Sequence, residues 1–479
     1  MFDAVASGSG AAIIGLVLAA TWIAYQLLRG VYNISPLHPL YRIPGPKLAA
    51  ATYWPEFYHD VILFGRYSGQ IRSMHEKYGP IVRVSPHEVH CDDPKFADEI
   101  YATSGRKRDK PQHQINGSAL GHSGFGTMDH DLHRIRRIPL AKNSATKLLA
   151  HADKPAFDVT MAYSCFTSDA ISGYCFGEPF GFLEQEGWYP NFREPTAAIL
   201  KPVFIFRFFP FLKALTVLGE YLVDYLPEDT ALLIRTLKIE IPNMIKKTKA
   251  DMDAGIQYDR PTIFGSLLES DLETHEKQPQ RLADEATAVV GAGTETTSWA
   301  LGVITYHLLT KPELLQKLRA ELSGVVDDPL KLPSWTVLEK LPFMGAVIQE
   351  GLRLSFGVAA RTARVPTREN LVYQGEFNKK PVQHVIPREF APERWLGDEN
   401  RTELERGMLP FSKGSRACLG MNLALCELNL ALAAVALRVM PHMNLFETTD
   451  RDVRYDHDMF VPMAEAGSTG VRVKISPSN

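Results

Sequence analysis

Residues 11–28, AAIIGLVLAATWIAYQLL, carry no charge, and a helix of that length is about what the hydrocarbon of a bilayer requires. Such a stretch must span a membrane, be removed as a signal peptide or lie inside a core. No Lys or Arg precedes it and no A-x-A pattern closes it, which argues against a signal peptide. Asp3 lies before it while Arg29, Arg42 and Lys47 follow, so the positive-inside rule places the C-terminal bulk in the cytosol. The expectation is a single-pass anchor in membrane lipid over residues 1–30. Pro36, Pro39, Pro44 and Pro46 follow within SPLHPLYRIPGPKLAA. Proline fixes φ and disfavours helix in the residue before it, so residues 31–50 read as a stiff hinge leading to one domain over 51–479.

With 45% hydrophobic and 22% charged residues, the chain as a whole has the composition of a packed protein rather than a disordered one. A net charge of -3 points to no nucleic-acid partner. The basic runs GRKRDK (105–110) and HRIRR (133–137) read first as solvated faces. The cysteines are Cys91, Cys165, Cys175, Cys418 and Cys426. Their odd number and the lack of a C-x-x-C pair argue against a disulfide framework or structural zinc, and for a reducing compartment. GPIVRVSPHEVHCDDP (79–94) reads as a hairpin broken at Ser85-Pro86. Most of the rest reads as helices, without repeats.

The longest of these helices is expected from about Leu282 to Leu309. Its centre, AVVGAGTETTSWALGVI, is apolar enough to pass for a second span, but Glu295 sits inside it and Asp284 and Glu285 flank it, which suits a buried helix better. Within it, AGTETT (292–297) combines a glycine with consecutive threonines, all poor helix formers. Such a run is tolerated where a neighbour packs closely or where the backbone ladder opens. In the second case Glu295 and Thr296 offer a carboxylate and a hydroxyl for proton delivery; in the first, Glu295 is a surface residue. Thr310, with Glu313 three residues on, reads as a capping box for the next helix.

Two more constellations carry chemistry. Glu350 and Arg353 in EGLR share a helix face, and Arg394 of FAPERW offers the carboxylate a second partner. In FSKGSRACLG, Gly414 and Gly420 permit tight turns, Arg416 can bind a carboxylate bidentately, and Phe411 can cover an apolar face. Cys418 stands just before a strongly helical stretch, where a thiolate is favoured.

Together these motifs resemble those of the haem-thiolate monooxygenases, the cytochromes P-450. F-x-x-G-x-R-x-C-x-G appears as Phe411, Gly414, Arg416, Cys418 and Gly420; E-x-x-R as Glu350 and Arg353; P-E-R-W at 392–395; A-G-x-E-T at 292–296; and G-x-x-L-A-x-x-E-L from Gly420 to Leu428. The resemblance covers nearly the whole chain, including the anchor and hinge of the endoplasmic-reticulum members. It implies the cytochrome P-450 fold, mainly α with small β-sheets, preceded by one N-terminal transmembrane helix in the endoplasmic-reticulum membrane. It implies haem b with Cys418 as axial iron ligand, Glu295 and Thr296 delivering protons to dioxygen, and a bracing triad of Glu350, Arg353 and Arg394. Arg416, Arg361 and the helix bearing His133 and Arg137, which stand for the family's W-x-x-x-R, would hold the propionates. Ala292, Val358, Ala359 and Ala360 would line the substrate pocket. Electrons would come from NADPH–cytochrome reductase, docking near 133–137 and Lys413. YGPIVRVSP and LSFGVAAR look most like fungal secondary-metabolism members, including the trichodiene oxygenase-like group. The implied substrate is a small apolar natural product, a terpenoid or otherwise a polyketide or alkaloid.

The sequence departs from the family after LVYQGEF (371–377), where NKKPVQHVIPREFAPERW follows directly and a dozen or more residues of the usual pattern are missing. That loss is expected to weaken the triad's support and haem retention. Two alternatives follow: a degenerate haem-binding protein inactivated there, or a haem-thiolate isomerase or dehydratase needing no reductase.

Overall fold

The computed structural model describes residues 2–102, 106, 108–117, 155–217, 223–256, 262–329, 331–366, 371, 373, 389–397 and 401–476. His133, Arg137 and the junction after residue 377 lie outside the described residues. The chain divides into two compact units, one built on Met1–Phe96 and the other on the described residues from Ala97 onward, apart from Tyr373, which belongs with the first.

In the first unit, helix α1 (Phe2–Ile34) carries the apolar run and continues four residues past the expected end of the anchor at 30. Residues 12–34 are long and apolar enough to cross a membrane; the apolar run is unburied, and only Asn33 in the last turn is buried. A short helix α2 (Lys47–Ala51) and helix α3 (Tyr67–Tyr78) precede the expected hairpin. Its strands are β1 (Ile81–Ser85) and β2 (Glu88–Cys91), antiparallel with Ile81 opposite Cys91 and a register irregularity between Arg83 and Ser85. Val82 and Val84 bury themselves against Tyr67, Ile71 and Met74 of α3.

The second unit is organised around α4 (Val159–Phe176), α5 (Arg193–Leu200), α6 (Ile241–Asp253), α7 (Pro279–Thr310), α8 (Pro312–Ser323), α9 (Pro342–Ser355) and α10 (Met421–Arg438). At 32 residues, α7 is ~48 Å long, and Pro279 opens it where a missing N–H costs nothing. Helix α4 lies close along it because two glycines allow the approach. A Cβ on Gly293 would stand 2.9 Å from Ile171, and one on Gly302 2.8 Å from the Thr160 hydroxyl. Buried hydroxyls stitch the two helices: Thr167 donates to Thr294 O at 2.8 Å, and Tyr163 pairs with Thr305 at 2.8 Å. On its other side α7 packs Leu301, Val303 and Ile304 into a core with Leu318 of α8, Met344 and Val347 of α9, and Leu432 and Val435 of α10. Helix α10 also passes the length and polarity test for a membrane span, but half of it is buried in that core.

Thr310 does not cap α8. It ends α7, its hydroxyl donating back to Tyr306 O and His307 O, and Lys311 takes the N-cap position without a side-chain bond. The apolar pattern continues through Leu308 and Leu309, so extending the first helix outweighs starting the second.

Four small sheets complete the picture among the described residues. The second unit holds β3 (Arg108–Asp109) paired with β5 (Val365–Pro366), β4 (Phe157–Asp158) and β6 (Met443–Leu445) on either side of β9 (Arg472–Ile475), and a hairpin of β7 (His457–Met459) and β8 (Val461–Met463).

Candidate active site

The loop before α10 is held by its own backbone. Ser412 N donates to Leu409 O at 3.0 Å, Ala417 N to Gly414 O at 3.1 Å and Cys418 N to Phe411 O at 2.7 Å. Gly414 has φ +74°, and a Cβ there would collide with the carbonyls of Tyr101 and Ala102, so this position requires glycine on both counts. Lys413 Nζ lies 3.2 Å from Asp98. Arg416 turns inward, with Nε donating to Arg108 O at 3.0 Å. Gly420 caps α10 with φ −83° and provides no left-handed turn. Cys165 and Cys175 are buried and Cys91 and Cys426 half-buried; Cys418 alone of the five is exposed. The loop thus presents one thiol at the mouth of a helix.

At the centre of α7 the helix is unbroken, so the backbone ladder does not open there. Thr296 satisfies its hydroxyl within the helix, donating to Ala292 O at 2.8 Å. Ala292 is nevertheless exposed, and a Cβ on Gly291 would meet nothing within 4 Å, which leaves one face of the central helix open. Glycine and threonine thus answer separate demands, Gly293 the approach of α4 and Thr296 the open face. Glu295 is no surface residue. Its Oε1 accepts from Arg193 at 3.1 Å, while Oε2 is buried without a partner. Burial pushes its carboxyl up, Arg193 holds it down and Asp158 pushes it up again. Arg193 is shared: it lies 3.8 Å from Asp158 and covers the Trp299 ring at 5.5 Å.

A further acid lies one helix away. Glu427 of α10 is buried, bonds the Thr297 hydroxyl, and has its pKa pushed up to about 8 by burial. Its motif was visible in the sequence, but its contact with α7 was not.

The triad is assembled. Glu350, fully buried, accepts from Arg353 at 2.9 and 2.7 Å, Ala391 N at 2.9 Å, Arg394 at 3.0 Å and the Trp395 indole at 2.8 Å. Burial pushes its carboxyl up, but the bonds from Arg353, Ala391 N and the Trp395 indole hold its pKa below the usual value. Both arginines also donate to Glu389 O. Residues 389–395 supply support to the triad directly, while the junction after residue 377 lies outside the described residues.

Three cations gather on the β3–β5 ribbon. Arg108 pairs with Pro366 and Asp109 with Val365, so Lys110 and Arg364 come opposite one another at the next step. Arg416 joins them, and burial beside these two guanidiniums lowers the Lys110 pKa to about 7. Like charges facing across a ladder repel, and buried ones repel more strongly, so this donor set fits an anion with more than one charge. Lys110 and Arg364 were missed in the sequence because only strand pairing brings 110 and 364 together. Arg361 is half-buried three residues before Arg364. Val358 is exposed, and Ala359 and Ala360 both donate to Phe460 O at the β7–β8 turn, at 3.1 and 3.4 Å. An exposed thiol, an open helix face and a polycationic ribbon fit the thiolate bond, flat apolar ring and paired carboxylates of haem b.

A sequence model of the family described as Cytochrome P450 matches residues 135–440. The chain belongs to the cytochrome P450 family. Similar curated proteins include Cytochrome P450 monooxygenase sdnE of Sordaria araneosa, 34% identical over 96% of this chain and 97% of that protein. Cytochrome P450 monooxygenase tpcC of Cochliobolus heterostrophus is 36% identical over 95% of each, and Tryptophan 6-hydroxylase fscE of Fusarium equiseti 35% over 91% and 92%. As a P450 this protein is a monooxygenase that uses haem b and takes electrons from NADPH through a reductase. The relatives' names favour neither a degenerate haem protein nor an isomerase or dehydratase. The alignment with sdnE runs over 507 positions, more than the 479 residues of this chain, so this P450 has gaps within the matched span.

Proposed function

We propose that this P450 inserts one oxygen atom of O2 into a small apolar product of fungal secondary metabolism, with Cys418 as the iron ligand. Bound in the site, haem b supplies the activation of dioxygen, and monooxygenation consumes two electrons and two protons as the second oxygen leaves as water. Cys418 binds as thiolate at the entrance to α10, where the helix dipole favours negative charge. Phe411 and Gly420 flank it. Arg416, Arg364 and Lys110 would hold the propionates, and the family resemblance adds Arg361, His133 and Arg137 to that role. Glu350, Arg353 and Arg394 fix the segment that precedes the cysteine loop.

Proton movement belongs to the centre of α7. Thr296 presents its hydroxyl beside the open face, and Glu295, raised by burial and held by Arg193, refills it. Glu427 stores a proton at the neighbouring Thr297. Ala292, Val358, Ala359 and Ala360 form an apolar wall that binds and orients substrate and excludes water. That wall suits a terpenoid or polyketide. An indole alkaloid precursor is the second reading, favoured because relatives are named tryptophan 6-hydroxylase and N-acetyltryptophan 6-hydroxylase. Helix α1 anchors the protein once in the endoplasmic-reticulum membrane, and NADPH–cytochrome reductase meets the cytosolic domain near Lys413.

The exposed thiol in a loop that only glycine can close carries this reading. The test is a carbon-monoxide difference spectrum of the reduced, membrane-expressed protein beside Cys418→Ser. A long-wavelength Soret band lost in the variant supports thiolate ligation; a short-wavelength band in both, or no haem in either, overturns it.

A further inference from the structure

Arg83 of β1 is 1% exposed, yet no carboxylate faces it among the described residues. Its guanidinium donates to Asn33 O at 2.8 Å, to His38 Nδ1 at 3.1 Å and to Pro86 O at 2.8 Å. Asn33 lies in the last turn of α1, where the final carbonyls lack intrahelical partners and the helix dipole is negative. That turn contains no basic residue of its own; Arg83 supplies the cation from another element. His38 Nδ1 also accepts from Leu40 N at 3.1 Å, so it carries no proton and the ring is neutral, in keeping with the lowering of its pKa by burial and then by Arg83.

The proline-rich stretch around this arginine is a chain of closed turns. Ser35 N donates to Tyr32 O, His38 N to Ser35 O, Tyr41 N to His38 O and Ile43 N to Leu40 O, all at 3.0–3.1 Å. Arg83 N reaches Pro44 O at 2.8 Å, and a Cβ on Gly45 would collide with Arg83 O. Asn33 Nδ2 donates to Ala51 O of α2 at 2.9 Å, and the rings of Tyr32 and His38 meet edge to face at 5.4 Å. A flexible tether would need none of these, and a buried guanidinium whose two terminal nitrogens meet carbonyls and an imidazole while its Nε is left without a partner among the described residues is costly to place without a purpose.

We infer that residues 33–46 are a rigid joint in which Arg83 caps the anchor helix and locks it to the β1–β2 hairpin, so that α1 and the N-terminal unit ride on the bilayer as one body. Leu37 and Tyr41 stay exposed on the outside of the same turns, continuous with the anchor and suited to the lipid interface. The inference is independent of the chemistry at Cys418.

The test is hydrogen exchange on the full chain in nanodiscs of phosphatidylcholine and phosphatidylserine, comparing the wild type with Arg83→Met. The wild type is expected to protect the amides of 35–46. Arg83→Met should exchange there about tenfold faster or more, as local opening does when its closing contacts are removed, with α7 and the carbon-monoxide spectrum unchanged. Should Arg83→Met fail to fold, Arg83→Lys, which keeps the charge but not the fork, and His38→Phe attack the same joint separately. Unprotected amides at 35–46 in the wild type overturn the inference, as does an unchanged rate in the variants or an increase spread evenly over the chain.

Discussion

Glu350→Gln isolates what charge contributes to the triad without changing its shape. The wild-type carboxylate accepts five hydrogen bonds, three of them from arginines, and is fully buried. A glutamine must turn its NH2 toward one set of donors. If it replaces Oε2, it faces Arg353 Nε and the Trp395 indole; if it replaces Oε1, it faces Arg353 Nη2, Ala391 N and Arg394 Nε. The first arrangement loses fewer bonds, but both leave two guanidiniums around a neutral group. Bonds to charged groups contribute ~1.5–3 kcal/mol each, and removing one partner of a buried pair costs ~3–5 kcal/mol. The single substitution should therefore cost ~3–5 kcal/mol, a large share of the ~5–15 kcal/mol that holds a domain together. Nearby, Lys317 and Glu393 pair at 2.7 Å, with side chains 56% and 45% exposed. Lys317→Gln should cost less than ~1 kcal/mol, because water screens that pair. Urea unfolding of the solubilised holoprotein, followed by tryptophan fluorescence and the Soret band, measures both. A Glu350→Gln cost below ~1 kcal/mol, or equal to that of Lys317→Gln, would refute the claim that burial rather than proximity gives the triad its strength.

Three further outcomes are expected. His307 stacks on Phe390 at 4.7 Å, and burial lowers its pKa to about 4 from 6.5; between those values the unfolded chain binds the extra proton, so stability should fall by up to ~3 kcal/mol as pH drops from 6.5 to 4. His307→Gln should flatten that slope in pH-dependent unfolding. Gly414→Ala should lose most of its haem per protein in the carbon-monoxide assay, since φ +74° and the Tyr101 carbonyl both oppose a Cβ; full loading would contradict the argument. Thr296→Val should keep consuming NADPH while product falls by ~10²-fold, the usual scale for losing a positioned proton donor, and a product-to-NADPH ratio equal to the wild type's would remove Thr296 from that role.

What was legible in the sequence was what neighbouring residues decide together. The turn at Ser85-Pro86, the cysteine loop with its glycines, and the extent of α7 all follow from chemistry within a dozen positions. The triad was nearly as legible, because Glu350 and Arg353 share a helix turn and only Arg394 comes from elsewhere. Contacts made by folding were not legible. Arg193 reaches Glu295 across 102 positions, and nothing in either neighbourhood marks them as a pair. Lys110 meets Arg364 only through two residues of strand pairing, too short to leave an alternating pattern. Thr310 was misread because a capping signature and a back-bonding threonine use the same residue type, and the apolar rows that choose between them lie on other helices.

The bonds from Ala359 and Ala360 to Phe460 reach beyond the proposed pocket wall itself. Phe460 occupies a turn of positive φ between two three-residue strands near the end of the chain, and its carbonyl alone receives both amides. The position of the wall is thus dictated by a hairpin about a hundred residues downstream. Inserting or deleting a residue in that hairpin would move the wall without altering any residue that lines it. With residues 358–360 in the proposed pocket role, substrate preference is expected to drift by changes in that hairpin, and a comparison restricted to lining residues would miss the cause.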